Sequence, residues 1–259
     1  MLFLVQKEET QWIDTQIIKE YIDRQKFVHS YREILKEEMD SKDVELLYKN
    51  SGSGAVPVGD LNFVKFFLKK FHGIEAMNPI EVPEVLRTEE FLKRKYSIRK
   101  KEDIPEKGKW FIKYVSELKY FYYTGEIELL NIQETPFFKD GLYQVSEIIP
   151  ILSEYRCFVD NDKLISINYY NGDCTIFPDT KMIKKAISMY STDKTRPKAY
   201  TMDVCVMNEQ RDTAILEIHP WTSVGLYSYL FPESLPYCYR EGYDWYLKEN
   251  QPLNIFSNF

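Results

Sequence analysis

Two consecutive apolar runs in the C-terminal third of the chain each carry one acidic residue: Asp203 within Ala199–Met207, and Glu217 within residues 213–220. Both runs are short and rich in β-branched and apolar residues, and the polar stretch 208–212 between them suits a hairpin turn. They read as two buried strands side by side, with Asp203 and Glu217 on neighbours. A carboxylate in an apolar strand is costly unless a cation or a hydrogen-bond donor meets it. Two of them facing one space make a reasonable Mg²⁺ site, because Mg²⁺ takes hard oxygen ligands and often uses one or two carboxylates plus substrate phosphates. The alternative reading is an edge strand that turns one or both carboxylates to solvent.

Global properties narrow the class. At 259 residues and 44% apolar, the chain can bury a sizeable core, as one large domain or as two or three small lobes. A net charge of −6 argues against a dedicated binder of nucleic-acid backbones. The 20 tyrosines suit a stiff, extensively packed β-containing fold. Cys157, Cys174, Cys205 and Cys238 show no CxxC spacing, which fits a reducing cytoplasm better than a disulfide scaffold. The apolar stretch 1–5 is too short for a signal sequence, and Gln6-Lys7-Glu8-Glu9 follows at once. No run approaches bilayer-spanning length, so a cytoplasmic location without a membrane partner is expected.

Along the chain, residues 2–5 read as a strand, 11–24 as an amphipathic helix, and 26–30 as a returning strand, a small α/β lobe with a parallel pair. Asn50-Ser51-Gly52-Ser53-Gly54 reads as a flexible linker, since GxxxxGK[ST] is absent. Asp60 is placed to cap a helix over 61–71. Residues 79–108, dense in charge and proline, read as a surface connection between lobes. Strands are expected at 110–115, 125–131, 143–149, 155–160 and 163–170, the last two joined by a tight Asn161-Asp162 turn. A helix over 180–189, a polar loop over 191–198, the two acidic strands and a last helix near 242–247 complete the pattern.

Several charged residues stand at informative places. Lys113 ends the apolar strand Trp110-Phe111-Ile112-Lys113, and Lys119 follows shortly after. Two ammonium groups at the mouth of a sheet would neutralise phosphate oxygens, although a strand-end lysine is more often simply solvated. Glu147 interrupts an apolar strand, and Glu154 lies seven residues on. An exposed strand segment there can offer backbone groups to a purine edge, and a carboxylate beyond it can accept from ribose hydroxyls. Two surface glutamates explain the same pattern. Arg156 opens the strand Cys157-Phe158-Val159, where a guanidinium suits a phosphate, a carboxylate or a surface salt bridge. His29 and His72 sit in ordinary contexts and receive no role.

Taken in order, the lysine-ended strand, the second lysine, Glu147 with Glu154, Arg156, Asp203 and Glu217-Ile218-His219 resemble the ATP-grasp fold. More narrowly, Phe111-Ile112-Lys113, Leu118-Lys119-Tyr120-Phe121, Glu154-Tyr155-Arg156-Cys157-Phe158-Val159 and Leu216-Glu217-Ile218-His219-Pro220 look like a phage- and bacterium-associated clade of small ATP-grasp proteins. That clade is named for its one arginine and two lysines. The resemblance covers about Phe111 to Tyr227, and Val58-Gly59-Asp60 looks like the clade's N-terminal lobe. Three residues depart from the family pattern: Tyr114 stands where proline is common, His219 where an asparagine oxygen usually meets the metal, and Thr201 where several ligases carry an arginine. Arg156 or Arg196 would then supply that charge.

The resemblance implies an α+β, ATP-grasp architecture. A small N-terminal α/β lobe would span residues 1–78 and an ATP-grasp domain residues 79–259, its two β-rich lobes at 79–148 and 149–259 clamping ATP. It implies adenine against Glu147, Ile148 and Ile149, ribose at Glu154, phosphates at Lys113 and Lys119, and Mg²⁺ at Asp203 and Glu217. His219 would be a third metal position, with Mn²⁺ the other candidate ion. The implied reaction joins a carboxylate to an amine through an acyl phosphate, with Arg156 and Lys119 stabilising the transferring group. The substrates would be an amino acid, a peptide or a metabolite. A nucleotide-sensing module without ligase activity and a kinase on the same scaffold are the alternatives. Loops 171–178 and 191–198 are candidate acceptor-recognition segments, and the aromatic tail near 237–245 is a candidate homodimer contact.

Overall fold

A computed structural model describes residues 1–7, 13–51, 54–128, 138–222, 224–227, 229 and 232–249. The chain divides into two compact units. One holds Met1–Glu75, Pro197–Tyr200 and the described residues from Pro220 onward; the other holds Ala76–Arg196 and Thr201–His219.

In the first unit, β1 (Leu2–Lys7), α1 (Ile13–Arg24), β2 (Ser30–Leu35), α2 (Lys42–Lys49), β3 (Val56–Val58) and α3 (Leu61–His72) build a parallel sheet of order β2-β1-β3. Leu2 pairs with Ser30 and Phe3 with Val56 in this register. β1 is central and reads as a continuous apolar run, as a strand covered on both faces must. Asp60 caps α3 as expected, its Oδ1 accepting from the Phe63 amide at 2.8 Å, and Gly73 ends the helix in the left-handed region at φ 69°. The apolar stripe of α3 (Phe63, Phe67) packs with Leu4, Ile34, Val44 and Tyr48.

The second strand of this unit lies later than residues 26–30. Lys26–Val28 form a turn with Phe27 96% exposed, and β2 runs through Tyr31-Arg32-Glu33-Ile34-Leu35. An edge strand tolerates charge, so its buried positions reduce to Ile34 and the apolar signal fades. Gln11, Trp12, Gly52, Ser53 and the end of the strand expected over 125–131 lie outside the described residues.

The last helix, Leu235–Glu249, is longer than the 242–247 expected. Tyr243 Oη meets Tyr48 Oη at 2.8 Å within the same unit, and Tyr48 Oη meets His72 Nε2 at 2.6 Å. The helix lies so close to Trp221 that a Cβ on Gly242 would stand 2.1 Å from the Trp221 carbonyl oxygen. Only glycine fits there.

The second unit carries the remaining elements: α4 (Glu89–Leu92), β4 (Tyr96–Lys100), β5 (Lys107–Tyr114), β6 (Tyr122–Glu128), β7 (Leu142–Glu147), β8 (Ile151–Asp160), β9 (Lys163–Gly172), α5 (Thr180–Tyr190), β10 (Ala199–Met207) and β11 (Asp212–Pro220). They form two four-stranded sheets, of order β4-β7-β5-β6 and β11-β10-β8-β9. Residues 79–108 are not merely a surface connection. Val82, Leu86, Phe91, Leu92 and Ile104 are buried, and β4 pairs antiparallel with β7. High local charge hides these apolar anchors, because they follow neither helical nor strand periodicity.

In the first of these sheets Ile112, Tyr114, Tyr143 and Val145 pack into a core with Ile104 and Phe138. The strands alternate, so Phe111 and Lys113 stand on the opposite face. In the other sheet, β8 and β9 join through Asn161 and Asp162, both left-handed at φ 47° and 62°, the conformation of a type I′ turn. β10 is buried at every position because it lies between β11 and β8.

Candidate functional site

The free face of the first sheet carries Phe111, Lys113, Tyr122, Thr124 and Gln144, placed together by the registers Phe111↔Thr124, Lys113↔Tyr122 and Lys113↔Gln144. The second sheet contributes Glu154 and Arg156 from β8, Tyr170 from β9, Asp203 from β10, and Glu217 and His219 from β11. Two cavities of the second unit are lined from both sheets. The smaller, about 230 Å³, is lined by Arg94, Ile148, Ile149, Ile151, Glu154 and Leu216 among others. The larger, about 640 Å³, is lined by Lys113, Lys119, Arg156, Asp203, Glu217 and His219 together with a wall of aromatic rings. Phe111 and Glu217 line both, so the two spaces adjoin.

The acidic strands are neighbours, and their carboxylates are met by cations. Arg156 forks onto Asp203, Nε to Oδ1 and Nη2 to Oδ2, both at 2.8 Å and both buried. Lys113 Nζ donates to Glu217 Oε2 at 2.6 Å, a bond that runs from one sheet to the other. His219 Nε2 stands 3.0 Å from Glu217 Oε2 and 3.6 Å from Asp203 Oδ2. Thus Arg156 is in a buried ion pair rather than a surface salt bridge, and neither carboxylate turns freely to solvent. Burial pushes the Asp203 carboxyl up, but the Arg156 fork and His219 outweigh it and hold the group below its usual range. Glu217 is likewise raised by burial and lowered further by His219 and Lys113, ending far below the usual carboxylate range. Burial lowers His219, yet hydrogen bonds to Asp203 and Glu217 raise it above the ordinary imidazole value. Lys119, left-handed at φ 55°, is lowered by desolvation and by the nearby Arg156 charge.

These shifts give a pH dependence with a definite sign. Protonated His219 contributes stability that is fully present below its unfolded pKa of about 6.5 and is lost as pH rises through its raised folded value. Asp203 and Glu217 contribute stability present above their unfolded values of about 4 and lost as pH falls through their depressed ones. In metal-free buffer the cluster is therefore most stabilising between about pH 4.5 and 6.5. Urea unfolding across pH 4–9 should show stability declining on the alkaline side, and His219→Gln should flatten that decline. A parent protein whose stability climbs steadily from pH 6.5 upward would contradict this.

The donor chemistry fits Mg²⁺ in part. Asp203 and Glu217 are hard oxygen donors on adjacent strands, and Glu217 Oε1 carries no hydrogen bond among the described residues. His219 Nε2 points at both carboxylates and serves them as a donor here. Among the described residues no group of three or more His, Cys, Asp or Glu side chains is arranged to hold a metal. A Mg²⁺ ion at this pair would draw the rest of its shell from phosphate and water.

The other expected residues fall as follows. Glu147 ends β7 with Oε2 accepting from the Lys95 amide at 2.9 Å, which lowers its pKa, and it lines the smaller cavity with Ile148 and Ile149. Glu154 accepts from Tyr170 Oη at 3.0 Å and Asn171 Nδ2 at 2.5 Å. Arg196 pairs with Asp162 and does not line either cavity, so of the two arginines considered only Arg156 stands at the site. Loop 191–198 lines neither cavity, nor does 171–178. Sequence pattern does not single out Arg94, Tyr122 or Tyr170. Arg94 lies in a basic trio, Lys93-Arg94-Lys95, that reads as solvated, and the tyrosines are distinguished only by their strand registers.

Two β-sheets facing one cleft, with basic residues on one and acidic strands on the other, define a nucleotide-binding architecture of the ATP-grasp type. The model of an ATP-grasp domain family, family 2 of the arginine–two-lysine clade, matches residues 91–233, and the chain belongs to that family. The α+β, ATP-grasp fold is also shared with D-alanine–D-alanine ligase from Bacillus anthracis, at TM-score 0.51 and 13% identity, over 95% of this chain and 96% of that one. The macrocyclase MdnC from Microcystis aeruginosa MRC, solved with its precursor peptide MdnA, aligns at TM-score 0.48 and 12% identity, over 92% of this chain and 98% of that one. No curated protein sequence matches the chain. No helix among the described residues is long and apolar enough to cross a membrane.

Proposed function

We propose that the protein is an ATP-dependent ligase that joins a carboxylate to an amine through an acyl phosphate. The observation that carries this reading is the charge balance of the larger cavity. Three cations, Lys113, Lys119 and Arg156, stand against two carboxylates, before any charge on His219 is counted. A nucleotide's phosphates would complete that balance, with the base in the adjoining smaller cavity against Ile148, Ile149 and Leu216, and the ribose near Glu154.

In this reading a substrate carboxylate oxygen attacks the γ-phosphorus. The bond between that phosphorus and the bridging oxygen breaks, and ADP leaves with the electron pair. An amine then attacks the acyl carbon, the carbon–oxygen bond breaks, phosphate departs, and the amine's proton passes to solvent. Such chemistry needs charge neutralisation and in-line positioning rather than a protein nucleophile. Lys113 and Lys119 hold phosphate oxygens as point charges, and Arg156 offers planar donors to the transferring phosphoryl group. Asp203 and Glu217 would hold Mg²⁺, which supplies neutralisation of the phosphate charge when bound.

A thermal-shift titration with Mg²⁺-ATP tests the nucleotide site. Ligand at a hundredfold excess over Kd stabilises the folded state by about 2.7 kcal/mol. The parent should show a clear rise in Tm, and Lys113→Ala or Glu217→Ala should abolish it. No shift with Mg²⁺-ATP or Mn²⁺-ATP would overturn the reading. The ion pairs that occupy both acidic residues favour one second reading, a nucleotide-binding module without turnover. It predicts ATP retained intact, with no ADP across carboxylate and amine screens.

A further inference from the structure

One aromatic side chain of the larger cavity has no part in holding a nucleotide. Tyr122 opens β6 directly opposite Lys113 in register, so the two side chains share the cavity face of the sheet. Tyr122 is 71% exposed although it stands in the wall of a cavity. It stacks on Phe111 with ring centroids 6.3 Å apart and an interplanar angle of 23°. This edge-strand ring is therefore propped in place from one side and left uncovered, next to the cations that attract an anionic substrate. The neighbouring wall is aromatic as well, with Tyr120, Phe121 and Tyr170.

We propose that Tyr122, backed by Phe111, is a specificity-determining residue, and that the carboxylate substrate carries an aromatic ring. The proposal rests on the ligase reading above. The substrate's carboxylate is drawn toward Lys119 and Arg156, and its ring covers the open face of Tyr122. Aromatic pairs in offset geometry gain beyond the area they bury, so an aryl group is favoured over an alkyl group of similar size.

Hydroxylamine traps acyl phosphates as hydroxamates, so the carboxylate can be screened without knowing the amine. Full-length protein with Mg²⁺-ATP and hydroxylamine is given matched pairs: phenylalanine and alanine, 3-phenylpropionate and propionate, indole-3-acetate and acetate. Aromatic members should exceed their partners by about tenfold or more in kcat/KM, the factor that ~1.4 kcal/mol supplies. Tyr122→Ala should erase that preference through KM while leaving the ATP-induced rise in Tm intact, and Tyr122→Phe should preserve it. Equal or better use of the aliphatic acids overturns the proposal. So does an equal loss on both classes in Tyr122→Ala, or the absence of any hydroxamate while ATP still raises Tm. Absence of the ATP shift itself is a different failure, that of the ligase reading, and the proposal falls with it.

Discussion

Replacing Arg156 with alanine is expected to destabilise the second unit by about 3–5 kcal/mol, because it leaves the buried Asp203 carboxylate without the guanidinium that holds both of its oxygens. At the usual 2–4 °C per kcal/mol for a domain of this size, Tm should fall on the order of 10 °C. The loss also has a pH signature. Without Arg156, burial dominates and the folded-state pKa of Asp203 moves above its unfolded value of about 3.9. Stability then recovers as pH falls through that raised pKa, opposite to the parent. Exchanging both partners for apolar groups, Arg156→Met with Asp203→Leu, should restore most of the stability, since a buried ion pair is often replaceable at little cost. Thermal unfolding of the three proteins (parent, single and double variant) from pH 4 to pH 8 checks both points. A single Arg156→Ala variant within 1 kcal/mol of the parent at pH 7 would mean that the fork is not formed in solution.

Arg94→Met is expected to be nearly as damaging. The buried guanidinium of Arg94 donates from Nη1 to the carbonyls of Leu92 at 3.0 Å and Ile215 at 2.8 Å, and from Nη2 to Leu216 at 3.3 Å. Burial lowers its pKa, yet guanidinium stays charged at any relevant pH. These bonds tie the segment leading into β4 to β11, the strand that carries Glu217, and so join the two sheets beside the smaller cavity. Leaving buried carbonyls unpartnered costs about 1–3 kcal/mol each, so a total loss of roughly 2–4 kcal/mol is expected. The response to Mg²⁺-ATP should weaken too, because the spacing of the sheets at Glu217 is no longer held. Arg94→Lys, which keeps one charged donor, should recover part of both. Urea unfolding paired with the ATP titration separates the effects. Unchanged stability together with an unchanged ATP shift would show that the three carbonyls find water instead.

Much of the architecture is legible because it is written in local pattern. The acidic strands, the hairpin between β8 and β9, the Asp60 cap and the lysine-ended β5 each follow from periodicity or turn chemistry within a dozen residues. The strand at residues 30–35 escapes such a reading because an edge strand with Arg32 and Glu33 lacks the apolar alternation that marks a half-buried strand. Residues 79–108 read as surface because Leu86, Phe91 and Leu92 anchor the core from short turns without period.

The candidate site divides the same way. Composition and order along the chain pick out Lys113, Lys119, Glu147, Glu154, Arg156, Asp203, Glu217 and His219, since each is a charged or polar residue in or beside an apolar run. Which charge meets which is beyond that reading. The Arg156–Asp203 fork spans 47 positions and the Lys113–Glu217 bond spans 104, and both depend on sheet order and on the distance between sheets. The sequence by itself determined the strands and the charges they carry, because local propensity and the cost of burying charge act within a strand. Only the tertiary structure decided that the two acids meet cations, that Arg94 joins the sheets and that Tyr122 stands opposite Lys113. Those pairings are set by long-range register and by desolvation inside a shared cleft, and neither exists until the sheets have closed on each other.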